Sequence, residues 1–231
     1  MRLAVARFLL RCIQAWDRRR LRALMRRHPG LSIHPDASSN LAAARFDLGE
    51  GARVTIEAGV KTERRYDGVR FQVRAGGELV VGEGAWLRSD VQPVHLAVFE
   101  GAAMRVGRDT FLNGCHLSAK LRVNTGACAM IGPGTRVFDS DQHPKDADNA
   151  ERSAPVEIGD YVWVASDVTV LRGVTVGSES VVAARSLVTR DIPPHSLALG
   201  SPAEVRGPVG DRRSLMEEWA SAVRRGDRAA Q

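Results

Sequence analysis

The sequence predicts an all-β protein: a single-stranded parallel β-helix of hexapeptide repeats, with an α-helix at its N-terminus and a short one at its C-terminus. Ile158, Val164, Val170, Val176, Val182 and Val188 fall at six-residue intervals, and all are β-branched. A small or β-branched residue stands four places after each of them: Val162, Val168, Val174, Ser180, Ser186 and Ile192. Neither the helical period of 3.6 nor the strand period of two produces a repeat of six. Short parallel strands joined by tight corners do, with the aliphatic residues pointing inward. Aromatic residues make up only 5% of the chain, so its core is built from Val, Ile, Leu and Ala, which suits a narrow coil.

Taken in order, residues 2–27 form a helix, with Leu3, Leu9, Leu10, Ile13, Trp16, Leu21, Leu24 and Met25 set among arginines. His28-Pro29-Gly30 ends it, because Pro cannot continue a helix and Gly suits the cap. Its apolar face packs on the end of the β-helix or on a neighbouring subunit. The alternative is a basic amphipathic helix lying on an anionic membrane surface. The six-residue rhythm starts loosely near residue 47 (LGEGAR, VTIEAG) and is interrupted by KTERRYDGVR (61–70). It returns in VGEGAW (81–86), VGRDTF (106–111) and IGPGTR (131–136), with register slips that predict irregular early coils. Glycines at the second and fourth places of these hexads fit corners that need positive φ or close backbone approach. The polar segment DSDQHPKDADNAERSAP (139–155) breaks the rhythm again, before the regular run from 158 to 193. Three hexads make one coil, and coils stack at about 4.8 Å. DRRSLMEEWASAVRRG (211–226) reads as the C-terminal helix. The expected organisation is a helical segment 1–30, a β-helix 31–206 with a functional loop at 139–155, and a partly helical tail 207–231.

The net charge of +6 is concentrated at the start: residues 1–28 carry nine Arg against Asp17 alone. The remainder is near neutral, which argues against a nucleic-acid surface. Cys12, Cys115 and Cys128 have neither disulfide-like nor zinc-like spacing, so reduced thiols and a cytoplasmic location are expected, with no metal. No stretch approaches 18 apolar residues. The arginines inside the first apolar run make a poor signal peptide.

A bare coil does no chemistry, so function rests on the interruption. His143 lies there beside Asp139 and Asp141. A histidine held at one ring nitrogen by a carboxylate acts as a general base through the other; a solvated loop histidine is the bland alternative. Three stretches decide the matter: FLNGC (111–115), IGPGTRVFDSDQHP (131–144), and PVEIGDYVWVASDVTVLRGVTVGSESVVAARSLVTRDIPPHSLALGSPAEV (155–205). Through them, and over about residues 48–206, the chain resembles the hexapeptide-repeat acyltransferases, which include galactoside, maltose and capsule-sugar O-acetyltransferases. The resemblance implies a left-handed β-helix, a homotrimer with clefts between subunits, and acetyl-coenzyme A as cosubstrate. It casts His143 as the base that deprotonates an acceptor hydroxyl for direct attack on the thioester, oriented by Asp139 or Asp141.

The same resemblance places Asn113 on the acceptor and Trp163 in the cleft wall. It puts the backbone N–H near Ser166 on the thioester oxygen, and coenzyme A against Ala184 and Thr189, with Arg190 and Arg206 near its phosphates. Glu204 departs from the pattern, standing where a basic residue usually follows the closing turn; it would repel a phosphate and shift that contact to Arg206 or Arg190. His195 is expected at the surface. The acceptor is a sugar or polysaccharide precursor, with a xenobiotic as the alternative. Two other classes compete: a zinc-dependent hydratase on this architecture, for which the six histidines lack the close pair required, and a non-catalytic β-helix scaffold. The N-terminal helix leaves a peripheral position at the inner face of the membrane open.

Overall fold

The computed structural model describes residues 2–225, with side chains from Val5 onward; Leu3's side chain and the end of the C-terminal segment, 226–231, lie outside the described residues. The body is a parallel β-helix whose three faces are three parallel sheets. The first sheet runs from strand Leu31–Ile33 to Thr175–Val176, the second from Arg45–Leu48 to Leu187–Val188, and the third from Lys61–Thr62 to Ser196–Leu199. Successive hexads visit the sheets in turn, so Ile158, Val164 and Val170 sit on the first, third and second sheets, and Val176 returns above Ile158. The single antiparallel pairing between strands among the described residues closes the far end, where Glu204–Pro208 folds back on Ser196–Leu199.

Both inward positions of the hexad are confirmed. Val164, Val170, Val182 and Val188 are fully buried, and so are Val162, Val168 and Ser180 four places after a hexad start. The fourth place of the hexad has a distinct job. Asp109, Tyr161, Asp167, Glu179 and Arg185 occupy it with φ between 54° and 62°, as Gly84, Gly134 and Gly173 do elsewhere. The corner therefore demands the left-handed region and tolerates non-glycine residues at modest cost. The glycine at the second place answers a different need. A Cβ on Gly132 would lie 2.7 Å from the carbonyl carbon of Ala165 and 2.8 Å from the amide nitrogen of Ser166 in the next coil.

Coils begin earlier than the rhythm suggested. Leu31–Ile33 already pairs with Arg53–Ile56, and a 3-10 turn, Ser39–Ala43, buries Leu41 beneath it. The early irregularity takes the form of wider coils: the step from Ile56 to its partner Val81 is longer than that from Ile158 to Val176. Strands Val69–Val73 and Val94–Val98 span five residues, against two in the regular region. KTERRYDGVR contributes the strand Lys61–Thr62, then a short loop.

Helix α1 (Arg2–Arg27) stacks its second half on the first coil. Leu21 is buried, Leu24 and Met25 pack beside it, and Asp17, 1% exposed, takes two hydrogen bonds from the Arg64 guanidinium at 2.9 and 3.1 Å. The polar insertion thus latches α1. Helix α2 (Arg213–Arg225) lies on the outer face of the third sheet, where Met216 and Ala220 cluster with Cys128 and Tyr161. The Tyr161 hydroxyl donates to Glu217, and the Lys61 Nζ donates to the Val223 carbonyl. No helix among the described residues is long and apolar enough to cross a membrane.

Candidate active site

The corners between the third and second sheets stack into one edge. Gly134 N donates to Gly114 O, Asp167 N to Pro133 O, and Arg185 N to Ser166 O, tying each corner to its neighbour in the next coil. Asn113, Ser166 and Ala184 therefore lie along a single ridge. Beside it is a hollow of about 220 Å³ lined by Phe111, Asn113, Met130, Gly132, Trp163, Ala165 and Ser166. Asn113 Oδ1 is enclosed there with no hydrogen-bond partner among the described residues. A buried polar atom without a partner is uncommon and marks a place for a donor from outside the chain. Trp163 stands 44% exposed as the wall, with the Arg212 guanidinium over its ring at 5.7 Å. Burial holds Arg212 below the usual guanidinium range.

His143 emerges from the next edge, between the second and first sheets, where the segment 139–155 replaces an ordinary corner. The segment is an ordered finger. Ser140 and Ser153 form an antiparallel bridge, Asp141 N donates to Arg152 O, and Ala154 N donates to Asp139 O. Asp146 ties the tip by accepting from Asp148 N and Asn149 N. The Lys120 ammonium donates to Gln142 O at 2.8 Å and to Glu151. That bond is the main cause holding the Glu151 carboxyl below its ordinary range, with His143 a smaller contributor. His143 itself is exposed.

The carboxylates are placed differently from the expectation. Asp139 is fully buried, and its two oxygens accept from the amides of Lys120, Leu121 and Arg122 at 2.8, 2.7 and 2.6 Å. It staples the finger's root to the neighbouring coil. Asp141 accepts from Arg172 Nε at 2.6 Å and lies 3.7 Å from Arg152; the Arg172 bond is the main cause of its lowered pKa. Neither carboxylate holds the His143 ring in this chain: backbone amides claim one and arginine the other.

The coenzyme-contact set divides between the two edges. Ser166 and Ala184 belong to the first. Thr189 and Arg190 belong to the second, where Thr189 shares a hollow of about 370 Å³ with Ser140, Asp141 and Arg172. Arg206 lies on the closing hairpin and pairs with Glu204 at 2.8 Å. The departure at Glu204 therefore engages the very arginine expected to replace it. Arg185, exposed beside Ala184, carries no ion pair among the described residues; the sequence places it at a left-handed corner but does not single it out. Phe111, Met130 and Arg212 were also missed. Trp219 of α2 packs edge-on against Phe111 at 5.4 Å, so the C-terminal helix backs the hollow. His195 is 56% exposed and 3.9 Å from Glu179, a surface residue as expected. Among the described residues no group of three or more His, Cys, Asp or Glu could hold a metal ion.

Comparison with known proteins gives a consistent picture. No family model matches the chain. It is 35% identical over 136 residues to the galactoside O-acetyltransferase of Escherichia coli K12, covering 57% of this chain and 64% of that one. It is 38% identical over 109 residues to a putative acetyltransferase of Schizosaccharomyces pombe, covering 45% and 52%. The chain thus spans less than two thirds of the length of these curated relatives. Among solved structures, the polySia specific acetyltransferase NeuO shares the fold, with a TM-score of 0.60 at 22% identity over 81% of this chain and 88% of that one. A hexapeptide-repeat acetyltransferase of Vibrio cholerae in complex with acetyl-coenzyme A is 31% identical, over 59% of this chain and 73% of that one, at a TM-score of 0.49. With its parallel hexapeptide coils, its closing motifs and these sequence matches, the chain is similar to the hexapeptide-repeat acyltransferases.

Proposed function

We propose that the protein transfers an acetyl group from acetyl-coenzyme A to a hydroxyl of a sugar or polysaccharide precursor. The observation that carries this reading is the convergence of Asn113, Trp163 and the Ser166 main chain on one hollow, with Asn113 Oδ1 enclosed and lacking a donor. An acceptor hydroxyl donates to that oxygen, and the Trp163 face packs against the sugar ring. The pantetheine arm lies along the ridge past Ser166 and Ala184, which places the thioester oxygen against the Ser166 N–H. Arg185, on this ridge, stands ready for the phosphates and Arg190, on the other edge, serves them from a neighbouring copy, while Arg206 is held by Glu204.

His143 is the general base. It takes the acceptor proton as the hydroxyl oxygen attacks the thioester carbon, and as the tetrahedral intermediate collapses and the carbon–sulfur bond breaks it returns that proton to the departing sulfur, releasing coenzyme A as the thiol. In one chain His143 and Asn113 project from different edges, separated by the second sheet. The base therefore reaches the hollow of a neighbouring copy, as a homotrimer with clefts between subunits provides. Asp139 and Asp141 act by fixing the finger rather than the ring.

The test is coenzyme A release from acetyl-coenzyme A with a panel of sugars, for native protein and His143→Ala. Loss of a general base costs about 10²–10⁴ in rate. A variant that turned over as fast as native protein would end the mechanism.

A further inference from the structure

The bare half of α1 is a surface with a built-in chemistry. Its end is held by Asp17, Leu21 and Leu24, but the stretch before them carries Val5, Phe8, Leu9 and Trp16 at 53%, 66%, 54% and 51% exposure. At 100° per residue, Val5, Leu9 and Trp16 share one stripe, about a third of a turn away from the face that packs on the first coil. Leu10 and Ile13, 57% and 42% exposed, continue the core-packing face past the coil, so the exposed apolar arc runs from Phe8 through Val5 and Trp16 round to Leu10. Arg7, Arg11, Arg18 and Arg22 form a second stripe on the opposite side of the helix from Val5, Leu9 and Trp16, and none has an acidic partner among the described residues. Arg20 lies over the Trp16 ring at 4.9 Å, a basic group beside the apolar face. The helix's single acid, Asp17, is already neutralised by Arg64.

We propose that α1 docks the protein on an anionic lipid surface, with Val5, Phe8, Leu9 and Trp16 entering the acyl boundary and the arginines meeting lipid headgroups. Large apolar side chains on one face and arginines on the other are what an interfacial helix requires. Charge selects the occupant. A second copy of α1 would bring its own arginines against these, whereas an anionic surface attracts each of them. Latching by Arg64 holds the helix against the first coil, so the docked face stands at the end of the β-helix opposite the closing hairpin.

The test is co-sedimentation of the full chain with vesicles of phosphatidylcholine alone and of phosphatidylcholine mixed with phosphatidylserine. The full chain should pellet with the mixed vesicles only, and release as salt rises. Arg7→Gln with Arg11→Gln should weaken binding about thirty-fold, at about a factor of five per arginine. Phe8→Asp with Trp16→Asp should abolish it, with far-UV circular dichroism confirming an intact fold. No pelleting, or equal pelleting with both vesicles, overturns the proposal. So does a change of oligomeric state in the Phe8/Trp16 variant without any vesicle binding by the native chain, which would assign the face to a second copy.

Discussion

At the scale of single residues, burial and hydrogen bonding have reassigned the titratable groups that a sequence can only enumerate. His116 and His95 stack at 4.6 Å on adjacent strands of the second sheet, and Phe138 meets His116 edge-on. His116 Nε2 is enclosed without a hydrogen-bond partner among the described residues. Burial, then His95 and Arg136, push the His116 pKa down to about 4. The fold therefore favours the neutral ring, while the unfolded chain protonates near 6.5. Its contribution to stability is fully present above pH 6.5 and is lost as pH falls toward 4, because the unfolded state binds the proton first. Thermal melts at pH 7 and pH 4.5 should show native protein losing more stability than His116→Gln. Equal losses would mean that this ring does not titrate in the transition. Nothing in the sequence flagged this pair, because the partners are one coil apart in space and 21 positions apart in the chain. The same blindness applies to Asp139, which stands two places before Asp141 in the sequence yet is sealed under three amides.

At the scale of elements, the coil is legible wherever its period is undisturbed and obscure wherever a strand widens. Ile158 to Val188 declared the core because each hexad repeats the same two inward places. The first coils hid because strands such as Val69–Val73 bury alternate residues over a longer run, which reads as an ordinary strand period of two. The docking of α2 was invisible for another reason: its periodicity shows an apolar face, but only the apolar patch that Tyr161 and Cys128 offer beneath it says where that face goes. Corner stacking gives a sharper test of the ridge. The Ser166 amide belongs to the main chain, so Ser166→Ala should keep acetyl transfer within a few-fold of native. Gly132→Ala should not: its Cβ would press on the Ala165 carbonyl and the Ser166 nitrogen. A backbone shift of that kind misplaces an oxyanion donor worth about 10²–10³ in turnover. Measuring kcat for both variants checks the assignment, and a Ser166→Ala loss as large as that of Gly132→Ala would count against main-chain donation.

At the scale of the whole molecule, the geometry divides the proposed machinery between two edges of one prism. Asn113, Trp163 and Ser166 face one cleft, and the finger bearing His143 leaves from the other side of the second sheet. Motifs in the sequence named these residues but could not say that one chain fails to assemble them, because the hexad pattern records coil position and not the path of an insertion. If each site draws its hollow from one copy and its histidine from the next, two defective chains can repair each other. His143→Ala supplies an intact hollow, and Asn113→Ala supplies an intact finger. In a closed ring with identical interfaces, chains mixed in equal amounts and refolded together bring a sound finger to a sound hollow at about a quarter of the sites, by random assortment. The expected outcome is about a quarter of native coenzyme A release from a mixture of two variants that are each nearly inactive alone. A mixture no more active than its components would place the whole site within one chain, and the finger would then have to fold back across the second sheet to reach Asn113.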